Sequence, residues 1–387
     1  MPHLPPPTVV LLASVLKPLD DTRMFGKFGR TLAALPGTVV HVAGRAAPHP
    51  TNGTANLHTH SLLSGTRLSW ARLRAQRRYW ELLRQLRPQL VVVHAPELLP
   101  LTLLWQALGQ LTRQRRHFLY DVRENYALNI QTQQVYPTWL RGLLAGTVRA
   151  LETVAAYRAA RVLLAERSYA DELPFARPER TVVLENKYQP QPGETLPTQA
   201  RRLPAPGQPL RLLYSGTISA LNGVSEAVEF TRQLRQHWPA AQLTIIGFCQ
   251  QPEVLNRLQE LIGDDTSIRL IGGTELVPHA RIVAEIQRSH LGLLPYRPHA
   301  STARCLPTKL FEYLANGLPI LTSDAALWAD TVVRLRAGLT VSFMPPYDIA
   351  HFVEQLTTQH FFPWGIPAEA LWEPEAIKLR AVVNSIR

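Results

Sequence analysis

The chain has 387 residues, 46% of them hydrophobic, which favours two packed domains over one. Its formal charge of +12 calls for an anionic partner or surface and leaves the fold open. Cys249 and Cys305 offer neither a disulfide framework nor a metal-ligand spacing, so a reducing, cytoplasmic compartment is the simple expectation.

No apolar run reaches bilayer-spanning length, and the start of the chain lacks the basic-then-apolar pattern of a signal peptide. Residues 9–15, VVLLASV, read as a strand buried on both faces. A polar turn at 17–23 opens a helix over about 24–35, Pro36-Gly37 ends it, and residues 38–42 form the next strand, a βαβ unit. Asp21 and Arg23 lie in that turn, where a helix cap with an ion pair and a substrate contact are both open. Residues 66–87 form an arginine-rich helix with an apolar stripe at Leu68, Ala71, Ala75, Tyr79, Leu82 and Leu86. Such a helix fits either a solvated outer face or an anionic membrane surface.

A strand at 90–94 runs into a loop holding His94 and Glu97, and a second at 117–122 ends in Arg123 and Glu124. The C-terminal ends of parallel strands are where ligand groups gather. Helices follow over 137–160, then a strand at 161–165, with Ser168 expected to cap the next helix. A strand starts at Thr181. Residues 189–209 hold six prolines and two glycines without hydrophobic periodicity, a linker composition.

The second half restarts with LRLLYSGTIS at 210–219 and a glycine turn that lets backbone approach a phosphate. Helices are expected at 224–237 and 283–289, and strands at 242–247, 268–273, 291–296 and 339–341. Residues 305–324, CLPTKLFEYLANGLPILTSD, read as a loop, a helix over 309–315, an Asn316-Gly317 stop and a buried strand. Free N–H groups at such a helix start form an anion site. Thr308 and Lys309 there suit a diphosphate, and Glu312 one turn further suits ribose hydroxyls.

This segment resembles the donor-binding segment of the retaining GT-B glycosyltransferases, family 4 (group 1). DDTRMFGKFGRTLAAL near the N-terminus and VVVHAPELLP at 91–100 are similar to further stretches of that family. The implied fold class is α/β, GT-B, with two Rossmann-like domains whose parallel sheets face an inter-domain cleft. Residues 1–190 would be the acceptor-side domain, 191–209 a linker and 210–365 the nucleotide-sugar domain, with a helical tail over 366–387 packing back on the first.

The resemblance implies an acceptor-side catalytic group of Asp21, Arg23, His94, Arg123 and Glu124. It implies a donor site of Gly216, Thr217, Asn222, Gly272, Arg304, Thr308, Lys309 and Glu312. Several positions depart from the family pattern. Arg123 stands for a histidine, Thr217 and Asn222 for two cations, Arg304 for the first glutamate of an acidic pair, and Ala95 for an acid. Arg304 and Lys309 are therefore expected to meet the diphosphate charge from the other side.

The implied activity is retaining sugar transfer from a nucleotide-sugar donor to a polysaccharide or lipid-linked glycan acceptor. No metal and no cofactor besides the donor are expected. A sugar-nucleotide epimerase and a non-catalytic binding protein are the alternatives. A peripheral site on the inner membrane face is a further expectation. Nucleic acid is not expected as a partner, because basic and aromatic residues do not interleave on a sheet face.

Overall fold

The computed structural model describes residues 7–47, 54–63, 70–132, 136–297, 299, 304–324 and 326–386. Thr66, Arg67 and Leu68 of the arginine-rich helix lie outside them, as does most of the loop ahead of Arg304. The chain divides into two units, Met1–Gly193 with Trp372–Arg387, and Glu194–Leu371.

The first unit is built on seven parallel strands: β1 (Thr8–Pro18), β2 (Thr38–Arg45), β3 (Leu57–Leu63), β4 (Leu90–Val93), β5 (His117–Val122), β6 (Arg161–Leu164) and β7 (Thr181–Val183). Their order is β3-β2-β1-β4-β5-β6-β7, so the winding reverses between β1 and β4. The helices are α1 (Arg30–Ala33), α2 (Ala71–Leu86), α3 (Leu99–Leu111), α4 (Tyr126–Thr132), α5 (Thr138–Arg158) and α6 (Tyr169–Glu172). A π-type segment, Thr22–Gly29, runs into α1. Ala75, Tyr79 and Leu82 of the α2 stripe are buried as their spacing requires, and Leu83 joins them.

The second unit holds six parallel strands: β8 (Leu210–Ser215), β9 (Ala241–Phe248), β10 (Ile268–Gly273), β11 (Leu291–Leu294), β12 (Ile320–Thr322) and β13 (Gly338–Thr340). Their order, β10-β9-β8-β11-β12-β13, reverses between β8 and β11. The helices are α7 (Val224–Leu234), α8 (Pro252–Ile262), α9 (His279–Arg288), α10 (Thr308–Ala315), α11 (Ala326–Arg334) and α12 (Ile349–Thr358). A last helix, α13 (Glu373–Asn384), lies in the first unit. Trp372, just before it, and its Ala376, Leu379 and Val383 share a core with Val10, Phe28, Val40 and Val92.

One local expectation is corrected. Ser168 makes no side-chain cap, because it already has helical backbone angles, which do not suit a capping residue. The boundary between the two units falls inside the proline-rich stretch, at Gly193 and Glu194. Residues 198–206 line one wall of a cavity closed by Trp238, Leu356 and Phe361, and Arg201 N–H donates to Gly317 O at 2.7 Å.

Candidate active site

In the second unit the winding reversal sets the C-terminal ends of β8 and β11 side by side, the position where open parallel sheets bind ligands. The chain leaves β8 through Gly216 at φ +90°, a conformation that costs any residue with a Cβ. At the end of β10, Gly272 sits at φ +89°, and a Cβ there would lie 2.3 Å from Gly247 O. The mouth of this sheet is therefore bare backbone.

The first turn of α10 carries Thr308, which is exposed, and Lys309, which is buried. No side chain caps this helix start. The Lys309 ammonium lies over the rings of Tyr214 at 4.7 Å and Tyr296 at 5.1 Å. It has no hydrogen-bond partner among the described residues. Burial lowers its pKa to about 8, with Glu312 pulling the other way. A desolvated cation held by ring faces alone is poised for an anion.

Glu312, one turn along α10, accepts from His279 Nε2 at 3.0 Å, which places the imidazole proton on that nitrogen. Tyr313 OH and Ser215 Oγ, 2.9 Å apart, tie α10 to β8. The two positions where family members carry cations brace the glycine turn instead. Asn222 Nδ2 donates to Thr217 O at 3.0 Å, and Tyr214 OH donates to the same carbonyl at 2.9 Å. Arg304 is exposed just ahead of α10.

In the first unit the expected acceptor-side residues form one network at the ends of β1, β4 and β5. Asp21 caps the following helix, its Oδ1 accepting from Arg23 N–H at 3.1 Å and Met24 N–H at 2.7 Å. Arg123 grips Asp21 with both nitrogens, at 2.8 and 3.0 Å. Burial alone would raise the Asp21 carboxyl, yet Arg123 holds it well below the ordinary range. Glu124 pairs with Lys17 at 3.1 Å and accepts from Asn129.

Arg23 and His94 are wholly buried and meet on Asp121. Arg23 donates to both Asp121 oxygens at 2.9 and 2.6 Å, and to Leu184 O at 2.8 Å. His94 Nδ1 lies 2.7 Å from Asp121 Oδ2, so the proton belongs on Nδ1. Burial lowers the His94 pKa against the pull of Asp121, leaving a neutral ring. The structure thus puts Arg23 and His94 behind the surface, joined to one another through Asp121.

Sequence reasoning missed Asp121, which joins this network, as well as His279 and the two tyrosines beneath Lys309. Asp121 is the next-to-last residue of β5, as His94 is the first after β4, and that placement near two strand ends was the available signal.

Two doubly wound parallel sheets of this kind are the GT-B fold. Residues 209–359, within the second unit, match the family described as Glycosyl transferases group 1. The chain resembles sucrose-phosphate synthase from Thermosynechococcus elongatus, with 14% identity and a TM-score of 0.65 over 98% of this chain and 99% of that one. It also resembles Anabaena HepE solved with UDP, with 12% identity and a TM-score of 0.62 over 98% and 100% of the two chains. A UDP-N-acetylglucosamine 2-epimerase from Listeria monocytogenes gives 12% identity and a TM-score of 0.59 over 98% and 96%. At such identities the likeness concerns the fold. No curated protein matches the chain. Among the described residues no helix is long and apolar enough to cross a membrane.

Proposed function

We propose that the chain moves a sugar from a nucleotide-sugar donor to a glycan or lipid-linked glycan acceptor, with retention of configuration. The family match of the second unit supports nucleotide-sugar transfer. The observation that carries donor binding is Lys309, a buried ammonium without a hydrogen-bond partner among the described residues, set beside the Gly216 turn. There it would neutralise the diphosphate together with Arg304 and the N–H groups of α10, with no metal ion needed. Glu312 would hold the ribose hydroxyls.

In the retaining reading, the departing diphosphate stays near the anomeric carbon and helps take the proton of the incoming hydroxyl. The protein then orients the reactants and stabilises charge growing on the diphosphate. Asp21, Arg123 and Glu124 would serve the acceptor side, with Arg23 and His94 holding them in place.

Calorimetric titration with UDP-, GDP- and ADP-sugars, followed by turnover assays with and without acceptor glycans in EDTA, tests this reading. Binding of one donor and acceptor-dependent turnover are expected. Turnover without acceptor would identify an epimerase, and binding without turnover a non-catalytic protein. Failure of every nucleotide sugar to bind would reject the donor site itself.

A further inference from the structure

The connections from β3 to β4, β4 to β5 and β5 to β6 are crossovers between parallel strands, and the right-handed rule sets α2, α3 and α5 on one face of the first sheet. α3 packs against both neighbours. The sequence points to α2 as the candidate membrane helix. Trp70 and Leu73 are exposed at its start, but the rest of its outward face is polar, with Arg72 bound to Glu97 and Arg77 to Glu81.

The apolar surface lies on α3 and α5 instead. α3 contains no charged residue, and its Leu104, Leu108 and Leu111 point to solvent, Leu111 at 80% exposure. Along α5, Trp139, Leu143 and Tyr157 share one helical face, with Trp139 79% exposed. Core packing explains none of this exposure. Arg113 and Arg115 follow α3, and Arg158 closes α5, all of them exposed. The one acid in either helix, Glu152, is fully buried.

We infer that the α3–α5 face docks on a bilayer surface of anionic lipid. The apolar ridge enters the headgroup region, and the arginine rim meets lipid phosphates. Trp139 and Tyr157 are the residue types that settle at that interface. A second copy of the chain fits less well. A two-fold pairing would set this rim against itself, with no exposed carboxylate on either helix to receive it.

The test uses the full chain and phosphatidylcholine vesicles made with and without phosphatidylglycerol. Co-sedimentation is expected with the anionic vesicles, weakened by salt. The double variant Leu111→Ser, Leu143→Ser should partition at least about tenfold less. Nucleotide-sugar affinity, measured separately, should be unchanged in that variant, so failure here leaves the donor reading standing. Three results would overturn the inference: no preference for anionic vesicles, undiminished binding by the variant, or a lipid-free dimer that Leu143→Ser dissociates.

Discussion

A Cβ built on Gly216 would lie 3.4 Å from Lys309 Nζ and 3.2 Å from its Cε, so the bare turn after β8 and the buried ammonium fill adjoining space. This relationship makes donor binding sensitive to pH in a defined direction. With a pKa of about 8, Lys309 is mostly charged below that pH and neutral above it. Affinity for a nucleotide sugar should be flat below pH 8 and fall above it, by up to about tenfold per pH unit. Calorimetry over pH 6.5–9.5 reads this, and Lys309→Met should both weaken binding and abolish the slope.

The same substitution should stabilise the free protein. The folded-state pKa lies below the ordinary 10.5, so the burial penalty is complete below pH 8 and fades as pH rises toward 10.5. Lys309→Met should therefore gain about 3 kcal/mol at neutral pH, shrinking toward zero in strong alkali. Urea unfolding at pH 7 and pH 10 measures the difference. A loss of stability at pH 7 would show that the ammonium has a partner.

Glu312 tests the sugar half of the nucleotide. If its carboxylate accepts from ribose hydroxyls, Glu312→Ala should weaken UDP-type ligands about tenfold to a hundredfold. Their 2′-deoxy counterparts should lose less. Equal losses for the two would assign Glu312 to holding His279 instead.

The α10 half of the candidate site was legible in sequence as a helix start, because its signals are local. Pro307, Thr308, Lys309, Glu312 and Gly317 stand in one short stretch, and helix start, spacing and stop fix their relative places. The network in the first unit was only half legible. Asp121 is 98 residues from Arg23 and 27 from His94, so nothing nearby marks it as their common partner. β3 was missed because LHTHSLL, an edge strand, lacks a continuous apolar run. The arginines of α2 suggested a membrane helix, whereas the apolar exposure from which a docking face is inferred lies on α3 and α5, and exposure is not written in composition.

The Arg23–Asp121 pair predicts a severe core variant. Arg23→Met strands the Asp121 charge in a dry site and should cost about 3–5 kcal/mol. Adding Asp121→Asn should recover part of the loss, because the uncompensated charge is removed. Burial pushes the Asp121 carboxyl up, but Arg23 and His94 bring it well below the usual range. Its stabilising effect is therefore complete above the unfolded-state pKa of about 3.9 and lost as pH falls below it. Acid unfolding should begin at higher pH in Arg23→Met than in the natural chain.

The C-terminal segment from Trp372 completes the first unit from 341 positions away. Trp372 Nε1 donates to Thr31 Oγ1 at 2.9 Å, its N–H donates to Tyr188 O at 2.7 Å, and its ring packs on Phe28. Beyond it, Glu375 meets Lys187 at 2.8 Å, and Leu379 and Val383 enter the same core. Trp372→Ala removes a fully buried indole and should cost about 3–5 kcal/mol. Ending the chain at Leu371 removes the whole helix and should prevent the first unit from folding. The second unit contains none of these contacts, so its own melting transition should persist. Calorimetric scans of the natural and shortened chains decide the matter: one surviving transition is expected, and two unchanged transitions would show that α13 does not hold the first unit together.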